Sequence, residues 1–178
     1  MKAWKLDLWI ALAALIVSGL TATAALYQSK VFSDQLSATV WPYLSFNATN
    51  GPTTFVLTLE NDGAGPAIIE SAQLSLDGKP FGAMDGVIRA AAARQPRHST
   101  LAYATGSIGP GQVIRAGANA LVVKLAARDI SSFRAVYPRV SLGVYYCSLL
   151  NRCWLVKLHT NDRPAEVTGQ NYPHTGIQ

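Results

Sequence analysis

Residues 140–159, VSLGVYYCSLLNRCWLVKLH, decide the fold that this chain is expected to adopt. Two runs rich in apolar residues flank the segment 148–152, which has a normal length for the connection of a β-hairpin. If Cys147 faces Cys153 across antiparallel strands, three apolar pairs share the opposite face: Tyr146 with Trp154, Val144 with Val156, and Leu142 with Leu158. A slip of one residue would turn the apolar set of one strand outward. The register that permits a disulfide is therefore also the register that buries a core face.

Short segments of alternating apolar and polar residues precede this hairpin. The main ones are Val40–Asn47, Thr54–Glu60, Ala67–Leu76 and Val113–Leu125. Turns rich in glycine, proline and asparagine separate them, and the alanine-rich segment 83–94 breaks the β rhythm as a short helix. Many short strands joined by such turns are typical of an immunoglobulin-like sandwich. The sequence therefore predicts an all-β, immunoglobulin-like sandwich with a short helical insertion over residues 40–160, with near seven strands.

The other end of the chain carries a run of twenty residues without a charge, Leu8–Tyr27. As a helix this run would span roughly 30 Å, which matches the hydrocarbon core of a bilayer. Lys2 and Lys5 precede it, and positive charge is retained on the cytoplasmic side of a membrane. The sequence therefore predicts a cytoplasmic N-terminus over residues 1–7, a transmembrane helix in contact with lipid over residues 8–27, and an exported domain.

A cleavable signal peptide is the alternative interpretation of this run. The small residues Ala22 and Ala24 fit a cleavage site, but the apolar core of a signal peptide is typically only about 7–15 residues long. The longer run favours an uncleaved anchor. Residues 28–39 keep a helical spacing of apolar side chains and are expected to form a juxtamembrane helix. At the opposite end, residues 161–178 are polar and are expected to form a flexible C-terminal tail.

The charge pattern argues against a nucleic-acid partner. The chain has 15 basic and 10 acidic residues, and removing Lys2, Lys5 and Asp7 leaves 13 and 9 in the exported part. These basic residues are scattered singly, whereas a nucleic-acid-binding surface clusters them on one face or in one tract. We therefore expect no binding of nucleic acid.

The residue types that carry catalysis are dispersed along the sequence. The three histidines, His98, His159 and His174, lie far apart, and no serine sits in a Gly-x-Ser-x-Gly elbow. The glycine-rich segment 106–111 lacks the Lys-Ser/Thr pair of a phosphate-binding loop. The sequence therefore predicts no catalytic, cofactor-binding or metal site, and a protein that is not an enzyme.

Cys147 and Cys153 are the two cysteines of the chain. Their even number, their close spacing and the predicted export favour a structural disulfide. The hairpin register places this disulfide on the outer face, while Trp154 packs into the core from the inner face.

A candidate partner-binding edge or loop lies where the exported domain begins. The candidate residues are Trp41, Tyr43, Asn61, Gly63 and Gly65. A sheet edge can bind a partner by strand addition, and the loop 61–67 could present backbone groups in a similar way. The two glycines also have a structural reading as turn positions with positive φ. The structural reading of Trp41, like that of Trp154, is a core anchor of the sandwich.

Four short elements follow one another along the chain: W-P-Y at 41–43, E-N-D-G-A-G-P-A at 60–67, D-G-K-P at 77–80, and Y-C-x5-C-W at 146–154. Together with the N-terminal span, this order resembles a group of uncharacterised bacterial membrane-anchored proteins with an exported immunoglobulin-like β-sandwich. The resemblance implies a single-pass protein of the bacterial inner membrane with its domain in the periplasm. It implies no activity.

Two functional hypotheses from different classes fit this organisation. The leading one is a non-enzymatic protein-interaction or structural module of the cell envelope, whose partner is another envelope protein or a second copy in a homo-oligomer. The alternative is a ligand-binding or sensory ectodomain that recognises a small molecule or glycan. An exposed strand edge favours the first hypothesis, and a concave pocket favours the second.

Overall fold

The first of two compact units of the chain is a single long helix. A computed structural model describes residues 2–93, 102–126, 130–160, 163–167 and 176–177, and the chain divides into residues 1–39 and 40–178. The first unit is α1, Lys2–Thr39. Within the described residues, its segment Asp7–Thr39 is the one helix long and apolar enough to cross a membrane. The predicted transmembrane and juxtamembrane helices are continuous because no proline or glycine interrupts residues 20–39.

The second unit contains two antiparallel sheets. The four-stranded sheet has the order β1 (Leu44–Asn50), β2 (Thr54–Asn61), β7 (Asn119–Ala126), β5 (Ala102–Thr105). The six-stranded sheet has the order β10 (Ala165–Glu166), β9 (Cys153–Lys157), β8 (Val140–Cys147), β3 (Ala67–Leu76), β4 (Lys79–Phe81), and β6 (Val113–Ile114) also pairs with β3. The prediction of a strand-rich domain preceded by an apolar helix is confirmed at this level.

One hydrophobic core is shared by both sheets. On β2 the predicted alternation is confirmed, because Phe55, Leu57 and Leu59 are buried while their neighbours are partly exposed. Leu142 and Val144 of β8 belong to the same buried cluster. Burial of alternate side chains on facing sheets thus provides the main stabilisation of this unit.

Helices complete the second unit, so it is not all-β. Helix α2, Met84–Ala92, buries four side chains at helical spacing: Met84, Val87, Ile88 and Ala91. Helix α3, Ser131–Val136, continues into a 3-10 turn at Tyr137–Arg139. Both helices bury their apolar side chains in the core that the two sheets share. This is the usual arrangement for a helix with one apolar face.

The closing hairpin has the predicted register. Cys147 pairs with Cys153, Tyr146 with Trp154, and Val144 with Val156. The two cysteines form a disulfide. The Leu158 N–H donates to the Leu142 carbonyl at 2.8 Å, just beyond the end of β9. The disulfide prediction is therefore confirmed, and Trp154 is buried with 5% of its surface exposed.

Two element boundaries differ from the sequence-based expectations. The first strand was expected over Val40–Asn47, but β1 begins at Leu44 and continues to Asn50. Pro42 cannot donate to a ladder, and the segment 40–43 is held by a loop instead. The strand count exceeds seven because β4, β6 and β10, with three, two and two residues, are too short to show alternation.

The described part of the C-terminal segment is attached to the domain, in contrast to the predicted flexible tail. Ala165 and Glu166 form β10 on β9. Ile177 is buried, and its N–H donates to the Ile108 carbonyl at 2.8 Å while its carbonyl accepts from the Ile108 N–H at 2.9 Å. Residues 161–162, 168–175 and 178 lie outside the described residues. The polar composition of residues 161–178 gives no indication of these contacts in the sequence, because a single isoleucine and one two-residue strand make them.

Candidate functional site

The loop 61–66 holds the segment 40–43 through backbone hydrogen bonds, and we call these two segments together the entry clasp. The Asp62 N–H donates to the Tyr43 carbonyl at 2.8 Å. The N–H groups of Ala64 and Gly65 both donate to the Trp41 carbonyl, at 3.0 and 3.2 Å. The backbone groups of the loop are thus used within the domain.

Asn61 is the centre of the entry clasp. Its side-chain oxygen accepts from the N–H groups of Tyr43 at 3.2 Å and Gly63 at 3.1 Å. Its side-chain amide donates to the carbonyls of Gly65 and Ile114, both at 2.9 Å. Only 1% of Asn61 is exposed. Every bonding direction of this buried amide has a partner, as the burial of a polar side chain requires.

Close packing requires the glycines of the clasp. A Cβ atom at Gly65 would lie 2.0 Å from the Val40 carbonyl oxygen, and one at Gly63 would lie 2.3 Å from the Tyr43 nitrogen. Among the described residues, the glycines with positive φ are Gly78, Gly111 and Gly117. The predicted positive φ at Gly63 and Gly65 is therefore wrong, and the reason for glycine is close approach of two backbone segments.

The five candidate residues separate into buried and accessible ones. Asn61 and Gly65 are buried and Gly63 is half-buried, whereas Tyr43 is half-buried and 42% of Trp41 is exposed. The Trp41 and Tyr43 rings contact edge to face, with centroids 5.4 Å apart. The expectation that Trp41 anchors the core is wrong, because its backbone is held by the loop while its ring reaches the surface. Trp154 does pack in the core.

Strand β1 forms one border of the four-stranded sheet. Its pairing with β2 runs from Leu44 opposite Asn61 to Asn50 opposite Phe55 without a bulge. Hydrogen bonds at both ends fix which backbone groups face β2, namely Asp62 to Tyr43 and Gly51 to Thr54, both 2.8 Å. Because antiparallel ladders alternate, the backbone groups of Phe46, Ala48 and Asn50 face away from β2, toward the free edge.

Tyr146 closes the first position of this edge. The Leu44 N–H, which also faces away from β2, donates to the Tyr146 hydroxyl at 3.2 Å. Burial raises the pKa of Tyr146 to about 12, against a smaller lowering by the Leu44 hydrogen bond and with a further small raising contribution from Tyr43. The phenol therefore stays neutral at physiological pH and acts as a structural acceptor. The free part of the edge begins after it, at Phe46.

Residues 47–50 of β1 are exposed along the free edge. Their side chains are polar or small, and none carries a charge. Asn47 donates to Glu60 Oε1 at 3.2 Å, and Asn50 Oδ1 accepts from Arg134 Nε at 2.9 Å. These bonds fix the side chains on the sheet, and among the described residues β2 is the one strand that pairs with β1.

A groove of about 320 Å³ runs beside the first half of β1. Ser45 and Phe46 line one side, and Lys157, Leu158 and His159 line the other. His159 Nε2 contacts the Tyr137 carbonyl oxygen at 2.9 Å. Burial raises the pKa of Tyr137 above its ordinary value. The groove thus places Phe46, on the outer side of β1, near the cationic side chain of Lys157.

The structure brings together few residue types that carry chemistry. Within the described residues, no three His, Cys, Asp or Glu side chains are grouped so that they could hold a metal ion. Both cysteines are in the disulfide. His98 and His174 lie outside the described residues.

Comparisons with protein-family models, with curated proteins and with solved structures found no match. The resemblance to bacterial membrane-anchored proteins with an exported sandwich stays a prediction.

The candidate residues predicted from the sequence lie next to the outward backbone groups of β1. Trp41 and Tyr43 adjoin the edge, whereas the free backbone groups belong to Phe46, Ala48 and Asn50. The polar residues of segment 47–50 hid the second half of β1, because asparagine and threonine are also common in turns. Gly51 and Pro52 are the turn residues that mark the true end of the strand.

Proposed function

We propose that the protein is a non-enzymatic interaction module of the bacterial envelope. Residues 8–27 anchor it in the inner membrane as a single-pass span with the N-terminus in the cytoplasm. An immunoglobulin-like β-sandwich lies in the periplasm, and it binds an envelope protein or a second copy of the chain. The observation that carries this proposal is the free edge of β1.

The β1 edge differs from the other sheet borders in length and protection. Strand β1 has seven residues, whereas the border strands β4, β5 and β10 have three, four and two. Short edges, charged side chains, prolines and bulges are the usual protections against strand addition. The length of β1 and its lack of these devices support binding of an extended segment through main-chain hydrogen bonds.

Two further features support the proposed location. The disulfide Cys147–Cys153 suits an oxidising compartment such as the periplasm. The apolar length of α1 suits a membrane anchor, and the basic residues Lys2 and Lys5 near its start suit retention of that end in the cytoplasm.

The test of strand addition is a proline at an outward N–H of β1. A photo-crosslinking residue at Thr49 in the membrane-embedded full chain should give one reproducible adduct. Ala48→Pro should reduce that adduct at least tenfold without changing the thermal midpoint, because the Ala48 N–H faces away from β2 and proline is tolerated at such edge positions. Ala48→Val is the matched control and should keep the adduct.

A second variant covers the case in which proline disturbs the strand. Ala48→Lys keeps the N–H but places a charge on the edge, and it should also reduce the adduct. Two differently tagged copies distinguish a second copy of the chain from another protein as the partner. An undiminished adduct in both Ala48 variants, or no adduct in the wild type, would contradict strand addition at β1.

A further inference from the structure

The outer face of the six-stranded sheet contains a concave site that is separate from the β1 edge. We call it the outer groove, and it is defined by Ser71, Gln73, Ser141, Gly143, Tyr145 and Lys157. Its volume is about 560 Å³, within the range of about 300–1,000 Å³ that is usual for small-ligand sites. Gly78, in the turn between β3 and β4, and Pro80, on β4, also line it.

Strand register builds the floor of the outer groove. Gln73, Gly143 and Lys157 lie side by side across β3, β8 and β9, as do Ser71, Tyr145 and Leu155 in the next row. The bulge of β3 between Ile69 and Ser71 brings Ser71 into line with this face. The floor of the groove thus consists of two rows of aligned side chains, of mixed polar and apolar character, around Gly143 in the middle of the sheet.

Gly143 makes the groove concave, and the fold does not require a glycine there. A Cβ atom at Gly143 would meet only Leu155 Cδ1, at an ordinary contact distance of 3.7 Å. Its φ is not in the left-handed region. The contrast is with Gly65, where a Cβ atom would collide with backbone at 2.0 Å. Glycine inside a strand weakens it, and it often marks a place where a ligand approaches the backbone closely.

The groups on the floor indicate the chemical class of the ligand. From Gly143 to Cys147, β8 pairs with β3 on one side and with β9 on the other. On its other side β3 pairs with β4 and β6 only near its two ends. The polar side chains are the hydroxyls of three serines and Tyr145 and the Gln73 amide, all of which both donate and accept hydrogen bonds. Leu155 and Pro80 add apolar surface to the lining. Among the described residues that line the groove, Lys157 is the one cation and none is a carboxylate. A hydroxyl-rich ligand, neutral or acidic, fits this set because each sugar hydroxyl also donates and accepts.

We infer that the outer groove binds a short oligosaccharide over Gly143, with Gln73 as a polar contact and any acidic substituent placed toward Lys157. This inference is separate from strand addition at β1, because the floor of the outer groove lies on the other sheet, and Lys157 is the one residue that lines both grooves. Loss of one activity would leave the other intact.

The test uses the full chain in nanodiscs on an array of neutral and acidic oligosaccharides. The wild type should bind a subset of them. Gly143→Val fills the floor of the groove and should reduce that binding at least tenfold, while the thermal midpoint stays equal or rises because valine suits a strand. Gln73→Ala should reduce binding several-fold. Thr54→Val, on the other sheet, is the matched control and should bind as the wild type does.

Three results would overturn the inference. The first is that the wild type binds no oligosaccharide on the array. The second is that Gly143→Val binds as well as the wild type. The third is a lower thermal midpoint for Gly143→Val, which would show that the glycine serves folding.

Discussion

Asn61→Ala is expected to lower the free energy of unfolding of the exported domain by roughly 4 kcal/mol or more. The substitution leaves four backbone groups of the entry clasp without their partners: the N–H groups of Tyr43 and Gly63 and the carbonyls of Gly65 and Ile114. Each buried polar group left unsatisfied costs about 1–3 kcal/mol. Chemical denaturation of the full chain in detergent measures the difference.

An isosteric variant separates hydrogen bonding from side-chain volume at this position. Asn61→Asp keeps an acceptor for Tyr43 and Gly63 but presents oxygen, instead of an amide donor, to the carbonyls of Gly65 and Ile114. We therefore expect it to destabilise the domain strongly as well. Asn119→Ala, at an exposed position of β7, is the control and should change stability by less than about 0.5 kcal/mol. An Asn61→Ala protein as stable as this control would contradict the role of the clasp.

Trp154→Ala is expected to cost about 3–5 kcal/mol, as large-to-small substitutions of buried aromatic residues do. The Trp154 ring stacks near Tyr146 with centroids 5.8 Å apart, and the Arg152 guanidinium carbon lies 6.0 Å from the Trp154 centroid. Truncation would remove these contacts and leave a cavity under the closing hairpin. Denaturation midpoints of the full chain provide the measurement.

The disulfide gives the comparison for Trp154. Cys147 and Cys153 are only six residues apart, so breaking their bond should cost about 2–3 kcal/mol, the low part of the usual range. Cys147→Ser should therefore destabilise the domain less than Trp154→Ala. The opposite order would show that chain closure, rather than core packing, holds this hairpin.

Local patterns predicted the parts of this structure in which sequence neighbours decide the geometry. The hairpin register followed from two cysteines and three apolar pairs, and β3 was placed at its observed bounds, Ala67–Leu76. Strands of two or three residues are too short to alternate, so β6 and β10 gave no such signal.

The candidate site depended on contacts between distant segments, which local patterns do not show. Gly65 is required because Val40 packs against its backbone, and nothing near Gly65 in sequence indicates that partner. The free edge of β1 depends on which strand lies beside it. The outer groove depends on the alignment of three strands around Gly143. The sequence could therefore suggest a β domain with an edge, but not which backbone groups stay free.

External protease digestion of spheroplasts tests most directly the claim that α1 anchors an exported domain. We predict that protease removes the folded domain and leaves a membrane-embedded fragment that still carries Lys2 and Lys5, with both cysteines of the released domain oxidised. Full protection of the domain would show that it lies in the cytoplasm. A mature protein that begins near Ala25 would show that the apolar run is a cleaved signal peptide. The first result would contradict export of the domain, and the second would contradict the anchor.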